Sequence, residues 1–166
     1  ASAAEDRQAV AEADKAPDRA RATVAADLEA AERRAAAVKI GELARAAEVL
    51  ERTAAEERDI AEELSKGMQS ADEAAAVANA LQPRQTDVAE IARKLAAGLE
   101  QIAPQASEQV ASAADQAEQG REQLQKAAGQ PASAMDGAQQ ARASAEAAAQ
   151  SMAHAASALR EEIQSA

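Results

Sequence analysis

The 166-residue sequence contains no Phe, Tyr or Trp. That absence removes the side chains that do most to fill a thick core, stack on bases or anchor an interface. Cysteine is also missing, which excludes disulfides, thiolate metal sites and cysteine nucleophiles. It leaves the redox compartment open, because a helical bundle needs no covalent staple. A single histidine leaves few groups that titrate near neutrality for acid–base catalysis. No stretch approaches the roughly 18 consecutive apolar residues of a membrane-spanning helix. The first residues, Ala1-Ser2-Ala3-Ala4-Glu5-Asp6, have no basic stretch leading into an apolar one, so no signal peptide is expected. The six glycines, Gly41, Gly67, Gly98, Gly120, Gly129 and Gly137, are isolated, and none follows a strand-like run, so no phosphate-cradling loop is expected. No serine sits in a strand-to-helix nucleophile elbow.

What is present is alanine. It supplies 54 residues, against nine Leu, seven Val, five Ile and three Met. Ala has the highest intrinsic helix propensity and lets helix backbones approach closely, so this composition favours thin helices packed through small side chains. Eighteen basic against 29 acidic residues give a net charge of −11. The field of the whole chain therefore repels nucleic acid and anionic lipid headgroups, and neither is an expected partner. The apolar positions recur with helical period, which a disordered chain of similar charge would lack.

Residues 1–16 read as a short N-terminal arm or helix, followed by a long helix over 17–66. Within it, Val24, Leu28, Ala31, Ala35 and Val38 follow the alternating four and three spacing of a coiled-coil seam. The pattern slips beside Gly41 and resumes on Ile40, Leu43, Ala47, Leu50, Ala54, Glu57, Ala61 and Leu64, implying a bend or a change of supercoil within one helix. Glu29 precedes Arg33, Glu48 precedes Arg52 and Glu62 precedes Lys66 by four residues, the favourable order for surface ion pairs. Gly67 is expected in the left-handed conformation that ends many helices, with Met68 folded back on the last turn. Ser70 and Glu73 form a capping box for a short helix over 70–81, which Gln82-Pro83 is expected to break. Thr86 or Asp87 would cap a long helix over 87–129, its seam running through Val88, Ile91, Leu95, Leu99, Ile102, Ala106, Val110, Ala113, Ala117, Gly120, Leu124 and Ala127. Because the seam keeps its phase across Pro104, an in-line kink is expected there. Gly129-Gln130-Pro131 marks the next boundary, before an Ala-rich helix over 131–165 with Ala134, Ala138, Ala141, Ala145, Ala148, Met152, Ala155, Leu159 and Ile163 on its seam. The first 66 residues carry 27 charges and the last 36 only six, so the final helix should be contacted on more than one face.

The expected fold is therefore all-α: one elongated antiparallel helical bundle or coiled coil over 1–166, with three long helical segments and a short connecting helix, closely packed through Ala. The charges read as a solvated helix surface. Glu56, Glu57, Asp59, Glu62 and Glu63 form an acidic cluster, but a two-metal carboxylate bundle uses paired Glu-x-x-His motifs, and His154 is preceded at that spacing by Ser151. His154 reads as a surface or packing residue, and Met68, Met135 and Met152 as gap fillers. No catalytic, cofactor-binding or metal-binding residue is assigned.

The balance of Ala, Arg, Glu and Gln looks like that of small helical proteins from high-GC bacteria. The hairpin around Gly67 resembles those exported by type VII secretion systems, whose Trp-x-Gly turn is matched in Lys66-Gly67-Met68 only at the Gly, so no functional residue carries over. Length and amphipathic helices are also similar to exchangeable lipid-binding bundles of the apolipophorin type, which use larger apolar faces. The reading that follows is a non-enzymatic structural or interaction module working through helix–helix contacts, by self-association or with a helical protein partner, soluble and cytoplasmic. A secretion-associated hairpin leaving the cell without a signal peptide and a reversible lipid-surface binder are the alternatives.

Overall fold

The computed structural model of the chain describes residues 3–166, apart from the side chains of residues 11, 12 and 14; Ala1 and Ser2 of the expected N-terminal arm lie outside the described residues. The described residues form an all-α structure with four helices: α1 (Ala3–Lys66), α2 (Ala71–Leu99), α3 (Pro104–Gly129) and α4 (Ala134–Ser165), with a 3-10 turn at Pro131–Ser133 before α4. The chain divides into two units, residues 1–41 and 42–166, and α1 runs without a break through Gly41.

In the 42–166 unit the helices alternate in direction. On α1 and α2, Glu57 meets Gln85 and Gly67 approaches Val77. Between α2 and α3, the Ser107 hydroxyl donates to the Ala96 carbonyl at 2.6 Å, and Arg93 faces Asp115. Between α3 and α4, Ser144 donates to Gln123 and Ser151 to Gln116. In each case residue numbers rise on one helix as they fall on the other. Arg160 of α4 closes the circuit on Glu51 of α1.

The core is legible as two residue sizes. Leu43, Leu50, Ile60, Leu64, Leu99 and Leu124 are among the largest fully buried side chains, each contributing about 1.5–3 kcal/mol. Between them Ala78, Ala92, Ala113, Ala117, Ala141 and Ala145 are closed from solvent. The small side chains bring α2 and α4 together across the bundle in addition to their shared contacts with α3. The α4 seam is buried from Ala134 to Leu159 and half-buried at Ile163, so the sparsely charged last helix is a full member of the core.

Several expectations are corrected. Pro17 and Pro83 lie inside α1 and α2 instead of bounding helices at 17 and 81, so Thr86 and Asp87 are not caps. A proline removes one helical amide and crowds the carbonyl four residues back. Both rings are exposed, where water can take that carbonyl, and Leu81 and Gln85 on either side of Pro83 are buried, so packing holds the helix together. Thr86 instead donates its hydroxyl to the Gln82 carbonyl at 3.0 Å. Pro104 marks a reversal of the chain and not an in-line kink. Ala103 before it leaves the helical region at φ −151 and ψ 72, as a residue preceding proline tends to do, and α3 returns along α2. Among the described residues no glycine has positive φ, so Gly67 does not act as a left-handed stop. Its role is clearance: a Cβ there would lie 2.6 Å from Val77 Cγ2. The expected cap at Ser70 is present, accepting from the Glu73 amide at 3.1 Å.

Candidate functional site

The acidic cluster at 56–63 is separated by helical geometry into three environments. Glu62 pairs with Lys66 one turn on, at 3.1 Å. Glu56, Asp59 and Glu63 share the face of α1 turned to α2, and all three converge on the Arg84 guanidinium at 2.6, 2.7 and 2.8 Å. Each takes a different nitrogen, which uses the fixed fork of donors that a lysine lacks. The hydrogen bonds to Glu56 and Asp59, with the charge of Glu63, hold the Arg84 proton more tightly than usual, against an opposing effect of burial. Among the described residues, no group of three or more His, Asp or Glu side chains is placed to hold a metal ion.

Glu57 follows the apolar seam of α1 into the core and is 0% exposed, as is Gln85 of α2. The Gln85 side-chain amide donates to Glu57 Oε1 at 2.6 Å. Glu57 Oε2 and Gln85 Oε1 have no hydrogen-bond partner. Burial pushes the Glu57 carboxyl up to about 8, opposed by the hydrogen bond from Gln85 and aided by the Glu56 charge. Protonation turns the unpartnered Glu57 Oε2 from a buried anionic acceptor into a neutral hydroxyl, the form that burial favours. Gly120 of α3 passes over the pair, with Gln85 Cδ and Ser144 Cβ both 3.5 Å from where its Cβ would stand.

Two open apolar faces stand out among the described residues. The first is a groove between α1 and α2, where adjoining cavities of about 440 and 450 Å³ share Val49 and Ile91. Leu95 and Ile102 extend its floor, and Arg45, Glu42 and Lys94 stand at its rim. The second is the first seam of α1, where Val24, Leu28 and Val38 are exposed. Ile91, expected on the buried seam, is instead 39% exposed and lines the groove, which was not apparent in the sequence because it depends on α2 continuing past Pro83 to bring Ile91 beside Val49. His154 is exposed, Met152 is buried and Met68 half-buried, and Met135 is 38% exposed. Among the described residues no helix is long and apolar enough to cross a membrane.

Comparison of the chain with protein-family models, with characterised proteins and with solved structures finds no match.

Proposed function

We propose that the chain is a non-enzymatic helical module that acts by helix–helix contact, with residues 17–39 of α1 presenting the contact face. The observation that carries this reading is a contrast within one helix. From Leu43 onward the seam positions of α1 are buried, whereas the equally regular seam from Val24 to Val38 is open to water. Regular apolar spacing on an exposed helix face is the pattern that a partner helix covers. The absence of aromatic anchors limits affinity per contact, so recognition rests on a long, shallow seam and flanking charges.

The test is a photo-crosslinking residue placed at Val24 in cells that make the protein. Adducts to a polypeptide, another copy or a different chain, are the expected result. Labelling that yields no protein adduct, together with flotation of the chain on liposomes, would replace this reading with that of a lipid-surface binder.

A further inference from the structure

We infer that the partner of the 17–39 segment is a second copy of this chain, paired antiparallel with its twofold axis between residues 29 and 30. This deepens the interaction reading above and rests on it. Three observations carry it.

The first is the seam itself. Val24, Leu28 and Val38 are 62%, 60% and 60% exposed, at heptad spacing with Ala31 and Ala35. Glu29 and Arg33, which fall on the outer face in this heptad, pair within the chain.

The second is the pair of charges beside the seam. Asp27 and Arg34 both occupy the g position, and neither has an oppositely charged residue three or four positions away in its own sequence. Flanking charges in a coiled coil set orientation and partner choice. In the antiparallel register, Asp27 of each copy faces Arg34 of the other, twice by symmetry, and Asp18 falls toward Lys39 of the second copy. Sliding by one heptad in one direction sets Arg34 against Arg34 and Glu32 against Glu32. Sliding in the other direction sets Asp27 against Asp27 and Asp18 against Glu32. The parallel in-register alternative sets Asp27 against Glu32 and Arg34 against Lys39, both repulsive. One arrangement alone is complementary among these.

The third is the alternation of size. The same register places Val24 against Ala35 and Leu28 against Ala31 of the second copy, so each large side chain meets a small one and the helices can approach closely. Arg21 lies over Val38, able to cover it with its aliphatic stem. A parallel pair would instead stack Ala on Ala at two layers and leave gaps.

The experiment uses the full chain. Sedimentation over about 1 µM to about 1 mM should show a monomer–dimer equilibrium. Asp27→Arg should weaken dimerisation by about tenfold, since two attractive pairs become repulsive. The double change Asp27→Arg with Arg34→Asp should return it to within about threefold of the parent. Circular dichroism serves as the folding control. In a sequence without cysteine, Val38→Cys should not cross-link to itself, but should form a covalent dimer when mixed with Arg21→Cys. A strict monomer overturns the inference, and so does tighter association of Asp27→Arg, the sign expected of a parallel pair, or self-cross-linking at position 38. A monomer whose Val24 photoprobe still captures a different polypeptide rejects the second copy while leaving the interaction reading intact.

Discussion

At the scale of single residues, Glu57 is the side chain whose chemistry departs most from its ordinary behaviour. Its carboxyl is raised from 4.5 to about 8 by burial. Between those values the folded state keeps a proton that the unfolded chain has released, so the contribution of Glu57 to stability is greatest below 4.5, declines as pH rises toward about 8, and then levels off. Glu57→Gln retains a hydrogen-bonding partner for Gln85 without an ionisation. Urea unfolding followed at 222 nm should therefore show the variant gaining on the parent by up to about 1.4 kcal/mol per pH unit across that window. The exposed Glu51 and the half-buried Glu118, both lowered by arginine partners, are common to both proteins and cancel in the difference. A difference independent of pH would mean that Glu57 stays ionised in the fold. Arg84 offers a second test. Replacing it with Met leaves Glu56, Asp59 and Glu63 facing one another, and should cost about 1 kcal/mol, less at high salt because these groups are partly exposed. The spacing of Glu57 on the α1 seam was legible in the sequence. Its partner was not, because Gln85 lies in a stretch that local rules assign to a break between helices.

At the scale of elements, the decisive ambiguity was proline. Pro17, Pro83, Pro104 and Pro131 present the same local constraint, yet two lie inside helices and two begin new segments. Seam phase could not separate the cases, because Leu99 and Ala106 keep helical spacing whether the chain continues or turns back over them. The Ala seam of the last helix was legible in full, since its periodicity is uninterrupted from Ala134 to Leu159. The glycines divide in a way that only packing reveals. A Cβ at Gly137 would stand 2.9 Å from Ala127 Cβ and 3.3 Å from its Cα, whereas at Gly120 the nearest atoms are at 3.5 Å. Gly137→Ala should thus cost about 1–3 kcal/mol because backbone must move, while Gly120→Ala should be neutral or stabilise by up to about 1 kcal/mol through helix propensity. Equal effects at the two positions would contradict the close approach of α3 and α4. Ala145, 0% exposed, belongs with Gly137: Ala145→Leu should lose about 1–3 kcal/mol by overpacking, and tolerance of Leu would show unused space in the core.

At the scale of the whole molecule, the two units differ in what sustains their helices. In residues 42–166, backbone hydrogen bonds are covered by packed Leu and Ala, so most amides should exchange with solvent only through large cooperative openings. Among the described side chains of residues 3–41 none is buried, and helix there depends on Ala-rich propensity and i,i+4 pairs such as Glu29 with Arg33, which sustain an isolated helix only marginally. Amide hydrogen exchange at low micromolar concentration should therefore show rapid exchange over residues 3–39 and slow exchange over the buried positions of 43–159, with the change falling near Gly41 inside a single continuous helix. Raising the concentration should slow exchange over 17–39 selectively, because dimerisation adds burial only along that seam. Uniformly slow exchange along α1 in the dilute monomer would mean that the first seam is already covered within one chain, and its exposed valines and leucine would then need no second copy.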